Sequence, residues 1–191
     1  MNSSGTRKKW DERYRGTEGP ATPLEVLTDN AHLLPASGEA LDLACGLGGS
    51  ALYLAGLGFR TRAWDLSRVA IDRLRQRVAT EEILAEERDV LAHPPDPDSF
   101  DVICVGHFLA RPLCPRIAAA LRPGGLLYYQ TFTEDRVDDG GPGNPAFRLR
   151  RNELLRLFPD LVVRLYREEG CVGDVTKGLR NRAQLIAQRA P

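Results

Sequence analysis

The stretch Ala40-Leu-Asp-Leu-Ala-Cys-Gly-Leu-Gly-Gly49, together with Ala63-Trp-Asp65, decides the fold of this 191-residue chain. Each segment starts as a short apolar run and ends in small or acidic residues, which is typical of a buried parallel strand. The residues between them, Ser50 to Leu57, have a helical pattern that Gly58 terminates. The stretch therefore predicts a β-α-β unit with a glycine-rich first turn.

Gly46 and Gly48 lie in the turn that follows the first predicted strand. Only glycine lets backbone amides approach a ligand there without a clash at Cβ. Asp65 follows the second strand, where a carboxylate accepts hydrogen bonds from the hydroxyls of a ribose. Together, the two features predict a ligand that contains a nucleoside.

The spacing Gly46-x-Gly48-x-x-Ala51 also fits the looser form of the dinucleotide fingerprint. Asp42 decides between the two cofactors, because it lies inside the first strand and no basic residue occurs from Leu41 to Phe59. A carboxylate there repels a pyrophosphate and pairs with the ammonium of an aminoacyl group. These residues favour S-adenosylmethionine over a nicotinamide dinucleotide.

The segment Leu41-Asp-Leu-Ala-Cys-Gly-Leu-Gly48 resembles the first motif of the class I S-adenosylmethionine-dependent methyltransferases. Ser50 to Asp65 is most similar to the tellurite-resistance and thiopurine-type branch, and the similarity runs from Trp10 to about Gln188. Ala44 stands where many relatives have glycine, which we interpret as a minor change. The resemblance implies in-line transfer of a methyl group to a small acceptor (a thiol, a chalcogen oxyanion such as tellurite, or a small metabolite), with S-adenosylhomocysteine as the product.

The predicted fold class is α/β, a three-layer sandwich with a Rossmann-like, mostly parallel sheet of seven strands and helices on both faces. Strands are predicted at about 40–44, 60–64, 83–87, 100–105, 126–130, 162–166 and 183–188. A glycine-bearing loop joins the last two, whereas a nicotinamide dehydrogenase would continue with parallel β-α units. The expected strand order, 3-2-1-4-5-7-6 with strand seven antiparallel, is that of the methyltransferase fold.

Helices are predicted at 9–15, 22–34, 50–57, 67–78, 112–121 and 151–158, and residues 1–8 are expected to be disordered. Thr22-Pro23 predicts a helix start, with the threonine as N-cap. The longest connection, 131–147, is interpreted as a functional lid or a mobile loop. Arg148-Leu-Arg-Arg151 is interpreted as a solvated helix start.

The length predicts a single domain over 1–191, in which 1–20 is an N-terminal lid segment and 131–150 a substrate-side loop. The formal net charge is zero, from 26 basic and 26 acidic side chains, so no overall field attracts nucleic acid. The first residues lack an apolar signal region, and no apolar run approaches a membrane span. We expect a cytoplasmic protein that acts on a small molecule as a monomer or a weak homodimer, without nucleic-acid or membrane partners.

The cysteines of the chain form no C-x-x-C pair and have no histidine at ligand spacing. We therefore expect neither a disulfide framework nor a metal site, and chemistry that is independent of metals. A reducing compartment fits this pattern.

Open α/β sheets bind ligands beyond the carboxyl ends of their strands. Strand ends and the resemblance together give these expected cofactor-binding residues: Trp10, Tyr14, Asp42, Ala44, Cys45, Gly46, Gly48, Asp65, Leu66, Asp89, Val90 and Val105. In the family, the position of Asp89 meets the adenine amino group and the amide of Val90 meets a ring nitrogen. Alternatively, Asp89 is a turn residue at the loop entry.

The resemblance also places the segment from Trp10 to Tyr14 over the cofactor, as a lid that excludes water. By themselves, two aromatic residues at this spacing fit a helix that docks its apolar face on the sheet. Both interpretations are kept.

His107 is the one histidine predicted at a strand end, and we expect it to line the acceptor site with Phe108 and Phe132. An imidazole that titrates near neutrality suits a general base for an oxygen or nitrogen nucleophile. A thiolate, selenolate or tellurite-derived nucleophile needs little or no base, so His107 is alternatively a wall of the pocket. Two further hypotheses are a nicotinamide-dependent oxidoreductase and a non-catalytic protein that binds S-adenosylmethionine.

Overall fold

A seven-stranded sheet is the frame of the protein. The computed structural model describes residues 3–17, 22–78 and 83–191, and its strands are β1 (Glu39–Leu43), β2 (Arg60–Asp65), β3 (Ile83–Glu87), β4 (Phe100–Gly106), β5 (Leu121–Phe132), β6 (Val162–Glu168) and β7 (Arg182–Gln188). Their order is β3-β2-β1-β4-β5-β7-β6. The strands β1 to β5 run parallel, and β7 pairs antiparallel with β5 and β6. The predicted fold class is confirmed, and the sheet lacks the parallel ending of a dehydrogenase domain.

Helices cover both faces of the sheet. They are α1 (Ser3–Arg15), α2 (Glu25–Thr28), α3 (Gly49–Gly56), α4 (Arg68–Arg77), α5 (Cys114–Ala120) and α6 (Glu153–Leu157). Residues of α2 and α3 pack with one apolar cluster, and residues of α5 and α6 pack with another. None of the helices in the described ranges is both long and apolar enough to cross a bilayer.

The central strand β4 shows why these apolar runs form strands. Ile103 and Val105 join the cluster on one face, whereas Val102 and Cys104 join the cluster on the other, as the alternation of a strand requires. All four side chains are fully buried. A strand that is buried on both faces must be apolar at successive positions, which is the pattern in the sequence.

Two predictions near the N-terminus are wrong. The chain is helical from Ser3, so most of the segment expected to be disordered belongs to α1, and residues 1 and 2 lie outside the described ranges. The helix expected over 22–34 is the short α2, followed by a 3₁₀ turn at Ala31–Leu33. The amides of Leu24 and Val26 donate instead to side chains that lie far away in the sequence. These tertiary contacts override the local helix signal of Thr22-Pro23.

The strand β5 begins earlier than predicted and ends later. Leu121 already pairs with Phe100, and a register shift follows before the regular ladder resumes at Leu126. Residues 122–125, between the predicted fifth helix and the predicted fifth strand, therefore lie inside an irregular strand. At the other end, pairing with β7 extends β5 to Phe132.

Arg148 organises the long connection after β5. It is 3% exposed, and its guanidinium donates to the carbonyls of Thr133, Gly140 and Pro142 at 2.9, 2.6 and 2.8 Å. The interpretation of this arginine as solvated is therefore wrong. The connection folds around a buried cation, because its backbone carbonyls supply the acceptors that the guanidinium requires.

A second arginine supports the same connection from outside. Arg111 donates to the carbonyls of Ala146 and Arg148 at 2.7 and 2.9 Å, and it pairs with Glu153 of α6 at 2.7 Å. The connection is thereby joined to the helical layer on one face of the sheet.

Replacing Arg148 tests its role. Arg148→Met keeps an apolar stem but leaves buried carbonyls without donors, so we expect the free energy of unfolding to fall by about 2–4 kcal/mol. Urea denaturation measures this loss. Arg150→Met is the matched control, because Arg150 is exposed, and it should stay within about 0.5 kcal/mol of the wild type. Equal stability of the two variants would contradict the role.

Candidate active site

The turn between β1 and α3 has the left-handed backbone that its glycines favour. The φ angles of Gly46 and Gly48 are 54° and 78°. Ala44 is also left-handed, with φ of 57°, a conformation that costs a residue with a Cβ on the order of 1 kcal/mol. Alanine at this position is therefore not a minor change, because it strains the turn that glycine would leave relaxed.

Asp65 ties this turn to the end of β2. Its Oδ2 accepts from the amide of Gly46 and its Oδ1 from the amide of Ser67, both at 2.8 Å. The side chain is buried, and this burial raises the pKa of Asp65, although the two amides oppose the rise. The carboxylate thus has a structural role at the place where the sequence predicted a ribose partner.

Asp42 is a second buried carboxylate beside the turn. Its Oδ2 accepts from the amide of Ala51, in the first turn of α3, at 2.9 Å. Burial raises the pKa of Asp42 to about 7, and the negative charge of Asp65 adds to the rise. In the part of the chain that the structure describes, neither carboxylate forms an ion pair. The site therefore holds negative charge that a cationic ligand would stabilise.

The helix α1 lies over the glycine turn. A Cβ at Gly46 would lie 2.8 Å from Tyr14 Oη, and the ring of Tyr14 stacks on Trp10 with centroids 5.8 Å apart. Burial and the charge of Asp65 raise the pKa of Tyr14. Both aromatic residues expected to cover the cofactor therefore belong to one helix, and Tyr14 touches the turn.

Contacts with α4 hold α1 in this position. The Asp11 carboxylate accepts from Ser67 Oγ at 2.6 Å and from the amide of Val69 at 3.3 Å. Arg73 Nη1 donates to the carbonyls of Tyr14 and Thr17. Ser67 Oγ in turn accepts from Ala70, which confirms the predicted start of the fourth helix.

A cavity of about 190 Å³ opens at the carboxyl ends of β1, β4 and β5. It is lined by Thr22, Pro23, Leu24, Glu25, Asp42, Ala44, Cys45, Gly49, Ser50, Gly106, His107, Gln130 and Arg182. The cavity joins residues that the sequence assigned to the cofactor, such as Asp42 and Cys45, to one that it assigned to the acceptor, His107. Burial raises the pKa of the Cys45 thiol, so this cysteine is protonated at neutral pH.

His107 follows β4 directly, with a left-handed φ of 53°. Its amide donates to the carbonyl of Gln130 at 2.8 Å, and its ring lies 5.1 Å from the ring of Phe132. Burial lowers the pKa of His107, and the charge of Arg182 lowers it further. The imidazole is therefore neutral at pH 7 and has a nitrogen that accepts a proton.

The other predicted residues lie around the cavity rather than in its wall. Val105 is fully buried in the core, with Phe108 packed against the same cluster, and Val90 is also buried there. Leu66 is half-buried after β2. Asp89 Oδ1 accepts from two amides of the following loop, at 3.0 and 3.3 Å, so the turn that the alternative interpretation proposed is present.

Several residues that complete the cavity had no assigned role in the sequence, although Gln130 lies at the predicted end of the fifth strand. Glu25, Gln130 and Arg182 come from three distant parts of the chain, and only the strand order brings them together. Gly49 and Gly106 had a readable signal, because each is a glycine at a predicted strand or helix end. A Cβ at Gly106 would lie 2.6 Å from the Leu24 side chain, so the small residue lets the segment before α2 cross the strand ends.

Residues 3–17, 22–78 and 83–191 contain no group of three or more His, Cys, Asp or Glu side chains arranged to hold a metal ion.

Comparisons with known proteins bear on this site. Residues 40–125 match the model of a family described as a methyltransferase domain. They include the glycine turn, Asp65 and His107, and they end before the antiparallel strands. The match supports the S-adenosylmethionine-dependent methyltransferase activity and the cofactor that the sequence predicted.

Solved structures show how widely this fold is shared. A protein studied in the conversion of a disulfide bond into a thioacetal group during echinomycin biosynthesis has a TM-score of 0.71 and 22% identity, covering 97% of this chain and 92% of its own. An S-adenosylmethionine-dependent methyltransferase of Mesorhizobium loti has a TM-score of 0.68 and 17% identity, and the match covers 92% of this chain and 100% of that protein. TehB of Haemophilus influenzae has a TM-score of 0.66 and 22% identity, and the match covers 96% of this chain and 66% of TehB. No curated protein matches the chain. At these identities the likeness concerns the fold alone.

The raised pKa of Asp42 predicts how stability depends on pH. Between about pH 4 and pH 7 the folded protein holds a proton on Asp42 that the unfolded chain releases, so the stability that this proton supports is lost as the pH rises through about 7. Asp42→Asn removes this dependence, since its oxygen still accepts from Ala51. We expect the variant to gain on the order of 2–4 kcal/mol relative to the wild type between about pH 5 and pH 8.

Urea unfolding of the ligand-free protein at both pH values measures this difference. Asp72→Asn serves as the control, because that carboxylate is half exposed on α4. If the free energies of unfolding of Asp42→Asn and the wild type differ by the same amount at about pH 5 and pH 8, Asp42 does not titrate in this range. The account of its burial would then be wrong.

Proposed function

We propose that this methyltransferase moves the methyl group of S-adenosylmethionine to a small-molecule acceptor by in-line displacement, and that the acceptor binds in the cavity beside His107. The observation that carries the proposal is the cavity itself, because its wall joins Asp42 and Cys45 at the glycine turn to His107 and Gln130 across β4. The donor and the acceptor of the methyl group would meet there in one cavity.

The residues at the turn fit the cofactor. S-adenosylmethionine supplies a methyl group on a positively charged sulfur, and it also carries an ammonium and a ribose. Asp42 and Asp65 are buried and have no cationic partner among the described residues, so they suit a positively charged ligand. Asp42 would face the ammonium, and Asp65, whose oxygens each accept one amide, keeps lone pairs for the ribose hydroxyls.

The remaining predicted cofactor residues have roles that follow from their places. Asp89 and Val90 come after β3 and would meet the adenine, with Leu66 and Val105 beside the same strand ends. Trp10 and Tyr14 would cover the cofactor as part of the lid segment 1–20, of which residues 1, 2 and 18–20 lie outside the described ranges. The lid excludes water from the reacting groups, and holding reactants in line supplies about 7 kcal/mol or more in well-oriented cases.

The acceptor that we propose has a sulfur or other chalcogen nucleophile. Support comes from the sequence resemblance to the tellurite-resistance and thiopurine-type branch, and from the neighbours in echinomycin biosynthesis and TehB, which share the fold. A thiolate or chalcogen oxyanion needs little help from a base. In this account 131–150 is the substrate-side loop of a single domain, and the protein acts in the cytoplasm as a monomer or a weak homodimer.

A general-base role of His107 remains the alternative for an oxygen or nitrogen nucleophile, because its lowered pKa leaves the imidazole neutral. His107→Asn separates the two roles. If His107 is a base, kcat should fall by about 10²-fold or more, and the acid limb of the pH profile should disappear. If it is a wall, we expect a change below about tenfold with the profile kept. The measurement is a pH series of initial rates with the best acceptor.

Calorimetry tests the cofactor site. We expect the wild type to bind S-adenosylmethionine and S-adenosylhomocysteine but not NAD, and Asp65→Ala to lose at least about tenfold in affinity, as expected for a lost hydrogen bond to a charged group. Because Asp65 also supports the turn, the melting temperature of the variant is measured in parallel. Asp72→Ala is the matched control and should bind like the wild type.

An acceptor screen follows, with labelled S-adenosylmethionine and a panel of thiols, selenite and tellurite. Label transferred to one of these classes supports the proposal. Binding of NAD would overturn the cofactor site. Tight binding of S-adenosylmethionine without transfer to any acceptor would favour the alternative of a non-catalytic binding protein.

A further inference from the structure

The amide of Gln130 is fixed in one orientation at the floor of the cavity. Its Oε1 accepts from the backbone amide of Val26 at 3.1 Å and from Gln184 Nε2 at 2.8 Å. A backbone amide only donates, so the atom that faces Val26 is the oxygen. Both lone pairs of Oε1 are then used, and Nε2 is turned away from these partners.

The Nε2 group of Gln130 has two hydrogens and no acceptor among the described residues. Gln130 is 1% exposed as a residue. In the described chain, the fully buried polar side-chain atoms that lack a hydrogen-bond partner are Trp64 Nε1 and Thr131 Oγ1, and Gln130 Nε2 is not one of them. Gln130 Nε2 is therefore not enclosed by protein. Since Gln130 lines the cavity, this is the space onto which the amide opens.

Two further donors line the same cavity. Arg182 is the one arginine or lysine in its described wall, and it is held by Glu25 through a single contact of 3.3 Å, which leaves most of its N–H groups free. Ser50 Oγ accepts from the amide of Leu24 at 3.2 Å and donates to no described residue. Apart from the Glu25 carboxylate and the accepting nitrogen of His107, the unused side-chain hydrogen-bonding capacity in this wall is thus that of donors.

The strand order separates Gln130 and Arg182 from the cofactor turn, whereas Ser50 directly follows that turn in α3. Gln130 lies two residues before the end of β5, Arg182 begins β7, and the two strands are neighbours. The turn with Gly46 follows β1, on the other side of β4, and strands lie about 5 Å apart, so about 10 Å separates the two ends of the cavity. Asp42 makes one end negative, whereas Arg182 and Gln130 make the other end rich in donors.

We propose that Gln130 and Arg182 form a binding subsite for a carboxylate or another oxoanion group on the methyl acceptor. Glu25 holds the guanidinium over the cavity, and Ser50 adds a hydroxyl donor. The inference rests on the proposed function, since it places the acceptor in this cavity. It narrows the acceptor to small molecules that are themselves oxoanions or that carry such a group, and it disfavours neutral or cationic thiols.

Anion binding to the protein saturated with S-adenosylhomocysteine tests the subsite. The probes are acetate and selenite, titrated at constant ionic strength with chloride as the control anion. The readout is the imidazole NMR signal of His107, which is assigned with His107→Asn because the chain has three histidines. We expect both probes to shift this signal in a saturable way, and chloride to leave it unchanged.

Charge variants should change the affinity for the two probes in predictable directions. Arg182→Gln should weaken the binding of both probes by about tenfold or more, as should Gln130→Glu, in which a carboxylate oxygen replaces the donor nitrogen. Glu25→Gln should strengthen it, since a negative charge beside Arg182 is removed. Arg62→Gln, an exposed arginine on β2 outside this cavity, should bind as the wild type does. Arg182 is partly exposed, so Arg182→Gln should fold and still tests the subsite if Gln130→Glu does not fold.

Three results would overturn the inference, and they are distinct from a failure of the proposed function. The first is that acetate and selenite cause no saturable shift of the His107 signal in the wild type. The second is that Arg182→Gln and Arg62→Gln bind the two probes equally well. If Arg182→Gln instead loses about tenfold in affinity for S-adenosylhomocysteine but not for 5′-methylthioadenosine, the subsite holds the carboxylate of the cofactor rather than of the acceptor. If S-adenosylhomocysteine does not bind the wild type, the proposed function itself fails.

Discussion

The carboxylate of Asp65 is the constraint on which the rest of the site depends. One of its oxygens accepts the amide of Gly46 and the other the amide of Ser67, so the loops after β1 and β2 are joined at one buried point. Ser67 also caps α4 and donates to Asp11 of α1. Asp65 therefore joins the glycine turn to the second strand, and the hydrogen bond from Ser67 to Asp11 attaches the helix that covers both to the same point. A ligand at this point contacts three elements whose relative positions are already set.

Negative charge inside the protein is the second consequence of this arrangement. Asp42 and Asp65 are both buried, the charge of Asp65 disfavours ionisation of Asp42, and no described cation pairs with either carboxylate. A buried charge without a partner lowers the stability of the folded protein. Such destabilising groups are concentrated at functional sites. In the proposed function, a cofactor with a sulfonium and an ammonium would offset that cost when it binds. The strain at Ala44 and His107, both left-handed, lies in the same region.

The sequence predicted those parts of the fold that depend on local pattern. The strands were readable because buried parallel strands are continuous apolar runs, and the glycine turn because its conformation demands glycine. The helix expected at 22–34 was wrong, because Ser50 and Gln130 capture the amides that would have begun it. Arg148 was misread as solvated, since its acceptors are loop carbonyls that no local pattern reveals. Arg182 was missed for the same reason, since only the order of β5 and β7 brings it to the cavity that Gln130 lines.

The central claim is that the loops after β1 and β2 hold the cofactor and that the cavity across β4 holds the acceptor. A crystal structure of the protein with S-adenosylhomocysteine tests it most directly. The account predicts ribose hydroxyls within hydrogen-bond distance of Asp65, the ammonium beside Asp42 and the sulfur facing the cavity that His107 lines. A ligand bound elsewhere, or one whose ribose avoids Asp65, would contradict it.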